Sequence, residues 1–212
     1  ENIMNEIISI ILLSLFVSVI STLAATVFGV LISLVILFKD FRLKKLVIKL
    51  TNTFMSMPPV LMGLLMYLLL SRKGPFGSFR LLFTPTAIVI TQTFLILPII
   101  ISLTYSYLNS IEEDIRRNCA ALGISKKHTV YIMIKESLPQ MISIVSTGFG
   151  RGISEVGAAM MIGGNIKGYT RIMTTYIAME TGKGNFNESI ILGLVLLFIS
   201  FSINFFLGYL AE

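Results

Sequence analysis

The feature that most constrains this chain is a run of residues without a single charge, from Ile7 to Phe38. A bilayer-spanning helix needs roughly 20 predominantly apolar residues, and this run is longer than that. A helix in lipid satisfies its own backbone polar groups, which an irregular segment there does not. The run is also far longer than the apolar core of a secretion signal, so we interpret it as a retained membrane span.

Four further apolar stretches predict additional membrane spans. Together with residues 7–38, the predicted spans are residues 50–71, 83–108, 138–162 and 189–210. Pro58-Pro59 is expected to break or kink the second span near its start, and Pro98 to kink the third. The fourth span is interrupted by glycines and by two charged residues, Arg151 and Glu155. We therefore predict an all-α integral membrane protein with about five transmembrane helices, forming a single domain over residues 1–212.

Composition excludes several other functions. Only 13% of the residues are charged, whereas a soluble domain is typically about a quarter charged. The net charge of +6 comes from basic residues that flank apolar segments, so membrane topology explains it better than nucleic-acid binding. A single cysteine, Cys119, and a single histidine, His128, argue against disulfides, a metal site and most hydrolytic chemistry. We expect no catalytic residues and no cofactor bound by this chain.

The distribution of basic residues among the loops predicts the orientation. The first and third loops carry Lys39, Arg42, Lys44, Lys45, Lys49, Arg116, Arg117, Lys126, Lys127 and Lys135, against Arg72, Lys73, Arg80, Lys167, Arg171 and Lys183 in the second and fourth. Basic loops stay on the cytoplasmic side. The N-terminus is then predicted outside the cell and the C-terminus inside.

The third loop, residues 111–137, has the form of two short helices joined at a glycine. Acidic residues precede Arg116 and Arg117, the order that favours a helix dipole. Gly123 follows, and then a second amphipathic stretch from Lys126 to Ser137. The simplest interpretation of this loop is a helical hairpin at the membrane surface that only connects two spans.

The segment Arg117-Asn118-Cys119-Ala120-Ala121-Leu122-Gly123 resembles the EAA loop of ABC importer permeases. That loop docks into a groove on the ATPase subunit. The Ala-Leu-Gly core matches the family, whereas Arg117 stands where the family has glutamate. The resemblance implies an ATPase contact through Arg117, Ala120, Ala121, Leu122 and Gly123.

A second segment, from Gly150 to Ile166, closely resembles the signature of tungstate-type ABC permeases and more loosely that of molybdate permeases. The resemblance continues through Thr170-Arg171, Thr174-Thr175, Ala178, Glu180-Thr181 and Lys183-Gly184. It implies a type I importer permease in the cell membrane that moves an oxyanion, most readily tungstate. The implied partners are two ATPase subunits, which bind ATP and magnesium, and an extracellular or periplasmic tungstate-binding protein. Because five spans are few for enclosing a pathway, a homodimer is expected.

The candidate pathway residues lie in the interrupted fourth span: Gly150, Arg151, Gly152, Ser154, Glu155 and Gly157. At about 1.5 Å per residue, Arg151 lies some 18 Å beyond Pro139, near the middle of the hydrocarbon core. A charge there is costly unless it faces a cavity or a partner. Arg151 and Glu155, four residues apart, could form a structural ion pair on one helix face. Alternatively they line an anion path, with the glycines permitting close helix approach.

Three other functions stay open at this point. A molybdate or sulfate permease would carry the same features. A secondary transporter usually shows internal repeats with broken helices in matching positions, and none is evident. A membrane enzyme would need a nucleophile, base or metal set within the spans, which Arg151 and Glu155 do not supply.

Overall fold

The computed structural model of the chain describes residues 2–211, with side chains described from residue 4 onward. Every regular element in that part of the chain is helical. The α-helices are α1 (Asn2–Phe38), α2 (Lys44–Met55), α3 (Pro59–Leu70), α4 (Pro85–Ala121), α5 (Lys126–Glu136), α6 (Leu138–Ile153), α7 (Gly157–Gly163), α8 (Met173–Lys183) and α9 (Phe186–Leu210), with one 3-10 turn at Gly77–Phe79. The prediction of an all-α protein is confirmed.

Three of these helices are long and apolar enough to cross a bilayer alone: Met4–Phe38 in α1, then α4 and α9. The pair α2 and α3 would make a fourth crossing if it is counted as one broken span. The described residues thus contain three or four apolar spans. The count of five and the orientation of the termini stay predictions.

The second predicted span is not one straight helix. Its axis bends by 107° between α2 and α3. Pro58 is extended, with φ −60° and ψ 128°, and Pro59 occupies the first turn of α3. Neither proline can donate a backbone hydrogen bond to the preceding turn, so the predicted break at this pair is confirmed. The apolar stretch from residue 50 belongs to two helices, the first of which already starts at Lys44.

The third predicted span continues well beyond residue 108. α4 runs without interruption through Pro98 to Ala121, a length of 37 residues. At 1.5 Å per residue this is about 55 Å, against about 30 Å of hydrocarbon. The acidic and basic segment around Arg116 is therefore the projecting end of α4 and not a separate helix.

Close helix contacts hold α6 and α7 in the bundle. A Cβ added to Gly148 in α6 would lie 2.9 Å from Ile96 of α4, and one added to Gly152 would lie 3.0 Å from the same side chain. A Cβ at Gly63 of α3 would lie 2.8 Å from the Cα of Ala158 in α7. Small residues thus let these helices approach at backbone distance.

Candidate functional site

The fourth predicted span contains a helix break at Ser154–Val156, between α6 and α7. Three side chains form hydrogen bonds with backbone groups at this break. The amide of Gln92 in α4 donates to the Gly152 carbonyl at 3.2 Å, and the Thr174 hydroxyl in α8 donates to the Glu155 carbonyl at 2.7 Å. The Glu155 carboxylate accepts from the Ala158 N–H at 2.9 Å. Side chains of α4 and α8 therefore converge on this break.

Gln92 is the central residue of this network, and the sequence analysis missed it. Its side chain is 1% exposed. Its Oε1 accepts a hydrogen bond from the Ser21 hydroxyl of α1 at 3.1 Å, while its Nε2 donates to α6. The sequence did indicate this residue, because Gln92 is a lone amide side chain within the apolar run 83–108. A polar group inside a membrane has a high free-energy cost unless it forms hydrogen bonds. Gln92 thus joins α1, α4 and α6 at the level of the break.

Arg151 and Glu155 do not form an ion pair in the described part of the chain. The pairing of residues four apart requires continuous helix, and α6 ends at Ile153. Glu155 is instead 5% exposed and caps the first turn of α7. Arg151 occupies the last turn of α6, where a positive charge interacts favourably with the helix dipole.

The remaining candidate residues have different environments. Ser154 is exposed, and its hydroxyl donates to the Gly150 carbonyl at 2.8 Å. Gly150 is the least crowded of the three candidate glycines: an added Cβ would meet only the Asn204 amide, at 4.0 Å. At Gly157 an added Cβ would lie 2.8 Å from Val60. Close helix approach therefore explains Gly152 and Gly157 but not Gly150.

A polar contact joins α6 to α9 beside Gly150. The Ser146 hydroxyl donates to the Asn204 side chain, and the Asn204 amide donates to the Ser200 carbonyl at 2.9 Å. None of these residues is among those that the sequence pattern indicated. They hold α9 against α6 on the side away from α4.

Two charged clusters position α8, which carries Thr174. Lys183 donates to one carboxylate oxygen of Glu180 at 2.7 Å and Asn185 to the other at 2.6 Å. These bonds hold the pKa of Glu180 below its usual range. Before α8, Arg171 pairs with Glu6 of α1 at 2.9 Å. The first cluster joins the end of α8 to the start of α9, and the second joins the loop after α7 to α1.

The candidate coupling loop has the helix–glycine–helix form that its sequence predicts. α4 ends at Ala121, Gly123 adopts φ 69°, and α5 begins at Lys126. Leu122 is 75% exposed. Arg117, Ala120 and Ala121 are exposed as well, and Arg117 forms an ion pair with Glu113 at 2.8 Å. The five predicted residues therefore form one accessible surface at the projecting end of α4.

No group of three His, Cys, Asp or Glu side chains within the described residues is arranged to hold a metal ion. Three features stand out. The helices are long and apolar, the break between α6 and α7 is held by side-chain hydrogen bonds, and an accessible turn follows the end of α4. These features define a multi-pass integral protein of the cell membrane.

The chain belongs to the family described as the inner membrane component of binding-protein-dependent transport systems, whose model matches residues 25–212. It is 43% identical to a tungstate uptake system permease protein, TupB, of Peptoclostridium acidaminophilum, over 94% of this chain and 87% of the relative. It is 40% identical to TupB of Campylobacter jejuni, over 79% of this chain and 70% of that relative. A probable anion ABC transporter permease protein of Haloferax volcanii is 36% identical, over 95% of this chain and 89% of the relative.

Proposed function

We propose that this chain is the permease subunit of an ATP-driven ABC importer that carries tungstate into the cell. The observation that carries the proposal is the similarity to tungstate uptake permeases over nearly the full length of the chain. The resemblance of residues 150–166 to the tungstate-type signature supports it from the residues themselves. The permease would be a non-catalytic subunit, with ATP and magnesium bound by two separate ATPase subunits.

The ATPase contact is proposed at the turn formed by Arg117, Ala120, Ala121, Leu122 and Gly123. Several facts support this assignment. The turn lies at the end of a helix too long for the bilayer, and Leu122 is the most exposed large apolar side chain among the residues that the structure describes. An exposed leucine on a rigid turn suits a groove on a partner. The excess of basic residues in the first and third loops supports a cytoplasmic position for this side, with the N-terminus outside and the C-terminus inside.

The pathway is proposed to run between two copies of the chain, past the α6–α7 break. Tungstate is doubly negative, and crossing a low-dielectric medium without compensation is prohibitive. Two copies of Arg151 would supply two positive charges near the middle of the membrane. Ser154 is exposed beside it and could replace lost hydration. An extracellular or periplasmic binding protein would deliver the anion to the outer end.

Arg151→Gln tests the pathway in proteoliposomes that contain the permease, its ATPase and its binding protein. Uptake of tungstate should fall strongly, while assembly and ATP hydrolysis persist. The double variant Arg151→Gln with Glu155→Gln supplies a control. A structural ion pair predicts that the double variant recovers stability and uptake; such a recovery would eliminate Arg151 as a pathway residue.

Competition experiments test the substrate. Excess molybdate and excess sulfate should each reduce tungstate uptake less than unlabelled tungstate does at equal concentration. Stronger inhibition by sulfate than by tungstate would assign this chain to a sulfate importer instead.

A further inference from the structure

One face of α6 is polar along its whole length and is not covered by the rest of the chain. Its members are Gln140, Ser143, Thr147 and Arg151, together with Ser154, the residue directly after the end of the helix. With about 100° between successive residues, they fall within an arc of about 80°. All are exposed except Arg151, which is partly buried. We call this set the polar face of α6.

Other membrane helices of the same chain expose apolar residues. Between Ile10 and Phe38, α1 exposes only apolar side chains, and it buries Ser14, Ser18, Ser21 and Ser33. α9 exposes leucines, isoleucines and phenylalanines from Ile190 onward, among them Phe198 at 70% and Leu194 at 61% exposure. These two faces suit lipid. After its first turn, α6 exposes only polar side chains, so its polar face does not suit lipid.

The polar face is also not used to pack the fold. α6 contacts α1, α4 and α9 through its other sides, where Ile144 and Phe149 are buried. The Ser143 hydroxyl donates to the Pro139 carbonyl at 3.4 Å and the Thr147 hydroxyl to the Ser143 carbonyl at 3.0 Å. These are bonds within one helix, which hydroxyls can exchange for a ligand at little cost.

We propose that Gln140, Ser143 and Thr147 line the cytoplasmic half of the oxyanion path, between Arg151 and the cytoplasm; this rests on the proposed function. Ser143 lies about 12 Å along the helix from Arg151. The three side chains are neutral donors to an oxyanion. Passage requires that the anion is bound weakly enough to be released. The neutral hydroxyl and amide donors would bind the anion less tightly than Arg151 does, so the anion would be held less strongly as it moves toward the cytoplasm.

Thiol labelling tests whether the polar face is wet in the assembled importer. A cysteine at Thr147 should react with a charged, membrane-impermeant methanethiosulfonate in inside-out vesicles, above the background of the parent chain with its buried Cys119. Added tungstate should slow that reaction. Leu194→Cys, on the apolar face of α9, is the matched control and should not react. A Thr147→Cys chain that stays unreactive, or that reacts equally fast with and without tungstate, overturns the proposal.

Transport measurements give an independent test. The double variant Ser143→Ala with Thr147→Val should lower tungstate uptake about tenfold, because two donors to an anion are lost. Ser202→Ala, a hydroxyl removed from the exposed side of α9, should leave uptake unchanged. Unchanged uptake in the double variant would contradict the proposal. Absence of tungstate uptake by the unaltered chain would instead contradict the proposed substrate, and labelling with molybdate or sulfate as the protecting anion would still test the path.

Discussion

The Glu155 carboxylate accepts a hydrogen bond from the Ala158 N–H at 2.9 Å, and so closes the first turn of α7. This contact places the acid of the signature segment on the first turn of α7, whereas Arg151, four residues earlier, lies in the last turn of α6. The two charges of the segment therefore serve separate purposes. The acid stabilises the start of α7 after the break, and the arginine is free of an ion pair with it and lies on the uncovered side of α6.

The cap contact predicts different effects of two substitutions at Glu155. Glu155→Ala removes the acceptor and should destabilise the purified permease by about 1–2 kcal/mol, the usual cost of a lost helix cap. Glu155→Gln keeps a side-chain oxygen and should cost less. Thermal unfolding of both variants in detergent measures the difference. Equal destabilisation by the two variants would show that the negative charge, and not the hydrogen bond, stabilises the break.

Gln92 is predicted to be a structural residue of the break. Gln92→Leu removes the two hydrogen bonds that join Ser21 of α1 and Gly152 of α6 to α4, and at about 0.5–1.5 kcal/mol for each lost bond it should destabilise the protein by about 1–3 kcal/mol. The matched control is Thr104→Val in the same helix. Thr104 is equally buried, and its hydroxyl oxygen has no hydrogen-bond partner among the described residues. Chemical or thermal unfolding should separate the two variants, and a neutral Gln92→Leu would contradict the network.

The contact between α3 and α7 predicts that Gly63 tolerates no side chain. An added Cβ would lie 2.8 Å from the Ala158 backbone, so Gly63→Ala should destabilise the protein by about 1–3 kcal/mol through overpacking. Gly193→Ala in α9 is the control, because a Cβ there meets nothing within 4 Å. That variant should be neutral or slightly stabilising, since alanine favours helix. If both variants unfold at the same temperature, α3 and α7 are not packed this closely.

The coupling loop predicts a functional difference between two glycines that share the same left-handed backbone conformation. Gly123 has φ 69° and Gly168 has φ 71°, and an added Cβ meets nothing at either position. Alanine at either should cost about 1–2 kcal/mol, the penalty for left-handed backbone. Only Gly123→Ala should also weaken ATPase association or uncouple transport from ATP hydrolysis. Equal coupling in both variants would show that the turn at Gly123 is a connector.

Much of the fold could be predicted from the sequence because lipid imposes simple requirements. Charge-free runs locate α1, α4 and α9, since a span must be long, apolar and helical. The break at Pro58 follows from the missing N–H of proline. The turn at Gly123 follows from the low cost of φ > 0 for glycine. Each of these is a local property of a few consecutive residues.

The arrangement of the site could not be predicted, because it depends on residues that are distant in sequence. Residue spacing placed Arg151 and Glu155 on one helix face, but the helix ends between them. At that end Gln92 and Thr174 supply hydrogen bonds from α4 and α8. Spacing also did not reveal which side of α6 stays uncovered.

The order of residues is thus enough to identify a helical membrane protein, to locate its longest helices and to show which family its motifs resemble. The packing of the helices was needed to show that Glu155 caps a helix, that Gln92 joins three helices, and that the polar face of α6 is open. Hydrophobicity and backbone preference depend on a few consecutive residues, so their consequences can be inferred directly from the sequence. Hydrogen bonds between helices depend on which faces meet, and packing of the whole chain settles that.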